Sequence, residues 1–171
     1  MEQQPSSARI ALKWGVIGGL VSIIFATALY MTELWKNGLI SSLVGILPMV
    51  VFLFLAAKEF RTENNGFLSF GEGLSVSMLT GAIYSLLGNL YAQLYQKIID
   101  PGFVDKMKDF QFEKLEEQGL SEEQIEQAME LTSKFSTGGL SFLIGLLGSL
   151  LFAFIIALII SAILKKNKPV F

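Results

Sequence analysis

The sequence predicts an all-α, polytopic membrane protein with four transmembrane helices and an extracytoplasmic amphipathic helical hairpin. Three observations lead there. The chain of 171 residues is 52% hydrophobic, yet its charges are gathered between long uncharged blocks instead of being interspersed as in a soluble domain. Four of those blocks approach or exceed the roughly 20 residues that cross a hydrocarbon core of about 30 Å. One long connection carries five Lys against ten Asp/Glu and a full set of helix start and stop signals. We therefore expect one membrane domain over 1–171, with spans at about 14–32, 38–57, 73–95 and 138–164 and the hairpin at about 100–135.

The first eight residues are polar and are expected to be loose. Arg9 and Lys13 precede the uncharged run Trp14 to Thr32. Ala26-Thr27-Ala28 looks like a signal-peptidase site. The run stays apolar past it and a second span follows at once, which favours a retained helix. Glu33 to Asn37 makes a tight connection, closed by Gly38. The second run, Gly38 to Ala57, holds Pro48 near its middle, where the missing N–H predicts a kink.

In the second connection Asn64-Asn65-Gly66 is a turn signal. Phe67-Leu68-Ser69-Phe70 is too short to span and is expected at the interface. The third run, Gly73 to Tyr95, carries small residues at every fourth position, Gly73, Ser77, Gly81 and Ser85, followed by the polar Asn89. Such a file allows close approach of a neighbouring backbone. The last run, Phe135 to Leu164, repeats the device with Ser141, Gly145, Ser149, Ala153, Ala157 and Ser161. Gly138-Gly139 offers a break between hairpin and span, and Lys165, Lys166 and Lys168 follow.

Within the long connection, Asp100 is placed to cap a helix starting at Pro101. Phe103, Val104, Met107, Phe110 and Leu115 share one face, with Phe112 off it. Gly119 fits a left-handed stop with Leu120 set against Leu115. Ser121 and Gln124 form a capping box, with Leu120 and Ile125 as its hydrophobic staple. In the second helix Ile125, Ala128, Met129, Leu131 and Phe135 gather on one side, and Glu122, Glu123, Glu126 and Glu130 on the other.

Four spans put both termini on one side. The basic residues of the termini lie directly beside spans, where the positive-inside rule acts most strongly, and Tyr30, Trp35, Tyr91 and Tyr95 form an outer aromatic belt with Trp14 on the inner side. Both termini are thus expected in the cytoplasm.

The order of these features resembles a known family. A short basic N-terminus is followed by two close spans. Phe-Leu-Ser-Phe-Gly-Glu-Gly at 67–73 opens the third and Ile-Asp-Pro at 99–101 leaves it. A charged hairpin and a fourth span ending in Lys165-Lys166 complete the pattern. The chain is similar to the bacterial four-span proteins of the domain of unknown function 4199 family (DUF4199). That resemblance implies a bacterial inner-membrane protein and supplies no activity, cofactor or catalytic residue.

With neither Cys nor His in the chain, disulfides, thiol chemistry, the usual zinc, haem and iron–sulfur ligand sets and every imidazole-based triad are excluded. No catalytic, cofactor-binding or metal-binding residue is expected, and no basic run suits nucleic acid. The spans carry no ionisable group of the kind that marks ion and proton pathways. The residues of interest are the file Gly73, Ser77, Gly81, Ser85; the polar Asn89; Gly145 and Ser149 of the second file; Pro48; and Glu72 at the start of the third span. Glu72 either completes the helix entrance or lines an inward polar cleft. A structural or interaction role (scaffold or assembly) is the leading expectation, with a small transporter or channel component as the alternative. The expected partners are the lipid bilayer and, through the hairpin, a second copy or another membrane or periplasmic protein.

Overall fold

In the computed structural model, residues 5–136 and 138–169 are described. The architecture is all-helical: α1 (Ser7–Met31), a 3-10 turn (Leu34–Lys36), α2 (Gly38–Glu63), α3 (Phe70–Leu94), a π-helical turn (Tyr95–Ile99), α4 (Phe103–Glu117), α5 (Glu122–Ser136) and α6 (Gly138–Leu164). Four helices are long and apolar enough to cross a membrane. The chain divides into two compact units, 1–88 with 148–171, and 89–147.

The first unit holds α1, α2, the first turns of α3 and the last turns of α6. α1 begins earlier than the uncharged run. Ser6 accepts a hydrogen bond from the Arg9 N–H, so the helix starts at Ser7 and only residues 1–4 of the polar start lie outside the described residues. Asn37 caps α2 by accepting from the N–H groups of Leu39 and Ile40. α2 then runs unbroken through Pro48 to Glu63. It ends as the turn signal requires: Asn65 and Gly66 both take positive φ, and the Gly66 N–H reaches back to the Arg61 carbonyl at 2.8 Å.

α3 starts at Phe70, not Gly73. The segment before it is tied down by its backbone. Leu68 is fully buried and exchanges two backbone hydrogen bonds with Lys166 just beyond α6. At the centre of the core stand Leu53, Ala56 and Ala57 of α2, Val76, Ser77 and Thr80 of α3, and Ala153, Ala157 and Ser161 of α6, all at zero exposure, with Ile10 and Ala11 of α1 at 1%. Most other apolar side chains of the spans are exposed in the protein alone, as lipid-facing residues are.

The second unit holds the end of α3, the π-helical turn, α4, α5 and the start of α6. Here the expected cap at Asp100 is corrected. α3 does not stop at Tyr95 but widens, with the Asp100 N–H bonding the Tyr95 carbonyl at 2.8 Å. Pro101 and Gly102 are consumed in the following turn, α4 begins at Phe103, and the Asp100 side chain instead pairs with Lys106 at 2.8 Å. The other hairpin signals act as written. Gly119 has φ +80, and the N–H groups of Gly119 and Leu120 close onto the carbonyls of Glu116 and Leu115, the two bonds of a Schellman ending. Ser121 and Gln124 exchange the two bonds of a capping box. α5 ends at Ser136 and α6 begins at Gly138; Thr137, at the expected glycine break, lies outside the described residues.

Candidate functional site

The two small-residue files meet each other. A Cβ built on Gly73 would lie 3.1 Å from the Ser161 hydroxyl, and one on Gly81 only 2.7 Å from the Ala153 Cβ. Both members step by eight residues in opposite directions, so α3 and α6 run antiparallel with the files in register. Ser77 and Ala157, midway between, are both fully buried. The Ser77 hydroxyl has no hydrogen-bond partner among the described residues, and Thr80 returns its hydroxyl to the Val76 carbonyl at 2.7 Å. Within the second unit, Asn89 and Gly145 face each other, with the Asn89 Oδ1 2.6 Å from where a Gly145 Cβ would be. One turn on, the Gln93 amide donates to the Ser141 hydroxyl at 3.2 Å.

Ser149 lies elsewhere in use. With Phe152 and Ile156 it faces Gly45, Ile46 and Met49 of α2 across an apolar groove of about 200 Å³. Pro48, half-buried, stands in the next turn of that helix.

Glu72 belongs to a reciprocal capping box. Its carboxylate accepts from the Ser69 N–H at 2.8 Å and the Ser69 hydroxyl at 2.7 Å, while its own N–H donates to the Ser69 hydroxyl at 3.3 Å. The Ser-Phe-Gly-Glu spacing is the sequence form of that box. The carboxylate is thus spent on orphan donors at the helix start.

Three features escaped the sequence reading. Gly15, Gly18 and Gly19 of α1 are a third close-approach site: an added Cβ would meet Ile83, Phe52 and Leu87 at 2.6–2.7 Å. The ends of α1 and α2 are joined by two ion pairs. Arg9 bonds Glu63, and Glu59 accepts from the Lys13 ammonium and the Trp14 indole, each at 2.7 Å. Their trace in the sequence is a basic pair four residues apart in one helix and an acidic pair four apart in the next, which on antiparallel neighbours fall opposite.

The third is a cleft of about 460 Å³ within the second unit. Val104, Met107 and Met129 give it an apolar floor. Gln96 of the π-helical turn, Gln111, Glu126 and Ser141 supply polar groups. α4 buries the expected face, with Phe103 nearly sealed and Phe112 exposed. α5 buries only Ile125; Leu131 and Phe135, expected on the same side, are 58% and 56% exposed. The charged face is solvated. Lys114, for instance, is pushed above its ordinary range by its bond to Glu117, and both side chains are exposed.

The arrangement offers hydroxyls, amides and closely packed backbones inside the spans, and carboxylates only at helix ends and on the hairpin. Among the described residues, no three Asp or Glu converge as metal ligands.

A sequence profile described as Protein of unknown function (DUF4199) matches residues 13–166, nearly the whole chain. The protein belongs to the DUF4199 family. No curated protein and no solved structure matches it. Membership covers α1 to α6, so the cap at Glu72, the α3–α6 files and the hairpin cleft are all features of a chain that is a family member along its length.

Proposed function

We propose that this protein is a non-catalytic component of the bacterial inner membrane that holds its acidic hairpin, α4 and α5, against a protein partner on the outer side. The observation that carries the reading is the unpartnered apolar surface of the hairpin. Phe112, Leu131 and Phe135 are 44%, 58% and 56% exposed among the charged residues of α4 and α5. Exposed aromatic and aliphatic residues framed by charge mark interaction surfaces. The bilayer surface is the weaker partner, since nine Asp/Glu against four Lys on α4 and α5 are repelled by anionic headgroups.

The orientation rests on the end of the first unit where α1 begins and α2 ends. Arg9, Lys13, Lys58 and Arg61 lie there, and the positive-inside rule puts such an end in the cytoplasm. The natural chain has no cysteine, so single reporters are clean. Gln118→Cys is expected to react with an impermeant maleimide from outside and Asn167→Cys only after permeabilisation; the reverse pattern overturns the orientation.

A photo-crosslinking residue at position 131 tests the role itself. A discrete crosslinked protein in intact cells, lost when the reporter is moved to position 79 on the lipid face, is the expected result. Crosslinks to lipid alone would refute the partner. Solute flux through proteoliposomes of the purified protein would replace the reading with that of a transporter or channel component.

A further inference from the structure

The segment after α6 is held in place. α6 closes at Leu164, which is 8% exposed, and is followed outside any helix by Lys165-Lys166-Asn167-Lys168. The Lys166 N–H donates to the Leu68 carbonyl at 2.7 Å and the Leu68 N–H to the Lys166 carbonyl at 2.8 Å. Leu68 has zero exposure, so this antiparallel bridge ties the strip to a fixed point between α2 and α3. The Lys166 ammonium lies 5.6 Å from the centre of the Phe67 ring, within cation–π range.

The charges at this end of the unit do not cancel. Bonds between Arg9 and Glu63, Lys13 and Glu59, and Leu68 and Lys166 bring together the start of α1, the end of α2, the start of α3 and the end of α6. Seven cationic side chains stand there: Arg9, Lys13, Lys58, Arg61, Lys165, Lys166 and Lys168. Three carboxylates accompany them among the described residues, and all three are engaged: Glu63 by Arg9, Glu59 by Lys13 and Trp14, Glu72 by Ser69. Among the described residues no ion pair reaches Lys165, Lys166 or Lys168. All three side chains are exposed, so their ammonium groups are open to an anion from outside.

The strip also lies at a defined depth. The uncharged run of α6 ends at Leu164, so Lys165 begins where the hydrocarbon stops and the phosphates of the headgroups start. Each lysine offers three N–H donors to phosphate oxygens. The bridge fixes the backbone beforehand, which lowers the ordering cost of binding.

We propose that Lys165, Lys166 and Lys168 form a seat for the phosphate headgroup of an anionic phospholipid. The shared chemistry is a phosphate anion; the membrane, and not soluble phosphate, is its source. The site is independent of what the hairpin contacts and of which way the protein faces.

The test uses the full chain in mild detergent, with thermal unfolding followed by the fluorescence of Trp14 and Trp35. Phosphatidylglycerol, phosphatidylcholine and inorganic phosphate are added at equal concentration. Retained lipid is read in parallel by native mass spectrometry. Phosphatidylglycerol is expected to raise Tm beyond phosphatidylcholine and to stay bound at higher collision energy, while inorganic phosphate gives no shift. The variant K165Q/K166Q/K168Q is expected to lose the excess shift and the retention and to stay folded, because the bridge uses only backbone atoms and the side-chain contact it gives up is that between Lys166 and Phe67. K36Q, whose lysine pairs with Glu33 beside the 3-10 turn, should keep both. Equal response to the two lipids in the unaltered protein, or full phosphatidylglycerol preference in the triple variant, would overturn the seat. An inorganic phosphate shift as large as that of phosphatidylglycerol would overturn its membrane source.

Discussion

The interface between α3 and α6 and the hairpin of α4 and α5 are two solutions to pairing helices, and they share almost no chemistry. α3 meets α6 through Gly73, Ser77, Gly81, Ala153, Ala157 and Ser161, side chains so small that backbones do the packing. α4 and α5 are joined by a Schellman stop, a capping box and one buried isoleucine, and leave a cleft of about 460 Å³ beside them. The difference follows from solvent. Lipid is as apolar as leucine, so large apolar residues give no preference for a neighbouring helix over the bilayer, and only close approach does. In water the apolar stripe drives association by itself, and loose fit is tolerated as long as area is buried.

The contrast is broken most strongly at Gly81. Its neighbour at 2.7 Å is the Ala153 Cβ, which is fixed to backbone and has nowhere to go. Gly81→Ile is expected to lower stability by about 3 kcal/mol, the upper end of overpacking costs, read as a fall in Tm in detergent. Gly145→Ala sharpens the point. Its close neighbour is the tip of the Asn89 amide, which can rotate, so its cost should be well below that of Gly81→Ala in the same assay. Leu79→Ile, on the 43% exposed face, should leave Tm unchanged.

On the other side of the comparison, Ile125 is the one buried side chain of α5, and Ile125→Ala is expected to cost about 2 kcal/mol. The loss should appear as faster amide exchange in α4 and α5, with α1 and α2 unaffected, because Ile125 belongs to the compact unit 89–147 and α1 and α2 to the other. Exchange that accelerates everywhere would refute that separation.

A smaller effect is expected at the start of α3. Glu72→Ala removes the acceptor for two Ser69 donors and should cost about 1 kcal/mol, whereas Glu72→Gln can rebuild the box and should cost a few tenths. Equal losses for both would mean that the negative charge, and not the bond pattern, holds the helix start. Leu131→Ser on the hairpin should cost less still. An exposed position outside the cleft is expected to move stability by less than about 0.5 kcal/mol. Any strong loss of partner crosslinking in this variant then reports on the surface and not on folding.

What the sequence by itself determined is whatever is encoded within a few residues. The charge-free runs set four membrane-spanning helices. Gly119, Ser121 and Gln124 marked the hairpin turn, and Asn65-Gly66 the end of α2, because caps and left-handed stops are local bonds between residues two to five apart. Ser69 and Glu72 are equally local, and their box starts α3 at Phe70, three residues before the uncharged run, because a charged cap belongs to the helix but not to the run. Asp100 was misread because whether α3 stops or widens into a π turn depends on Tyr95 packing edge-on against Phe103, 5.5 Å away. Tertiary structure alone decided that the file of α3 faces the file of α6, that Gly15, Gly18 and Gly19 receive Ile83, Phe52 and Leu87, and that Lys166 is bridged to Leu68. Inside a membrane both faces of a helix are apolar, so the pattern that reveals a buried face in a soluble protein is erased, and only assembly shows which small residue meets which.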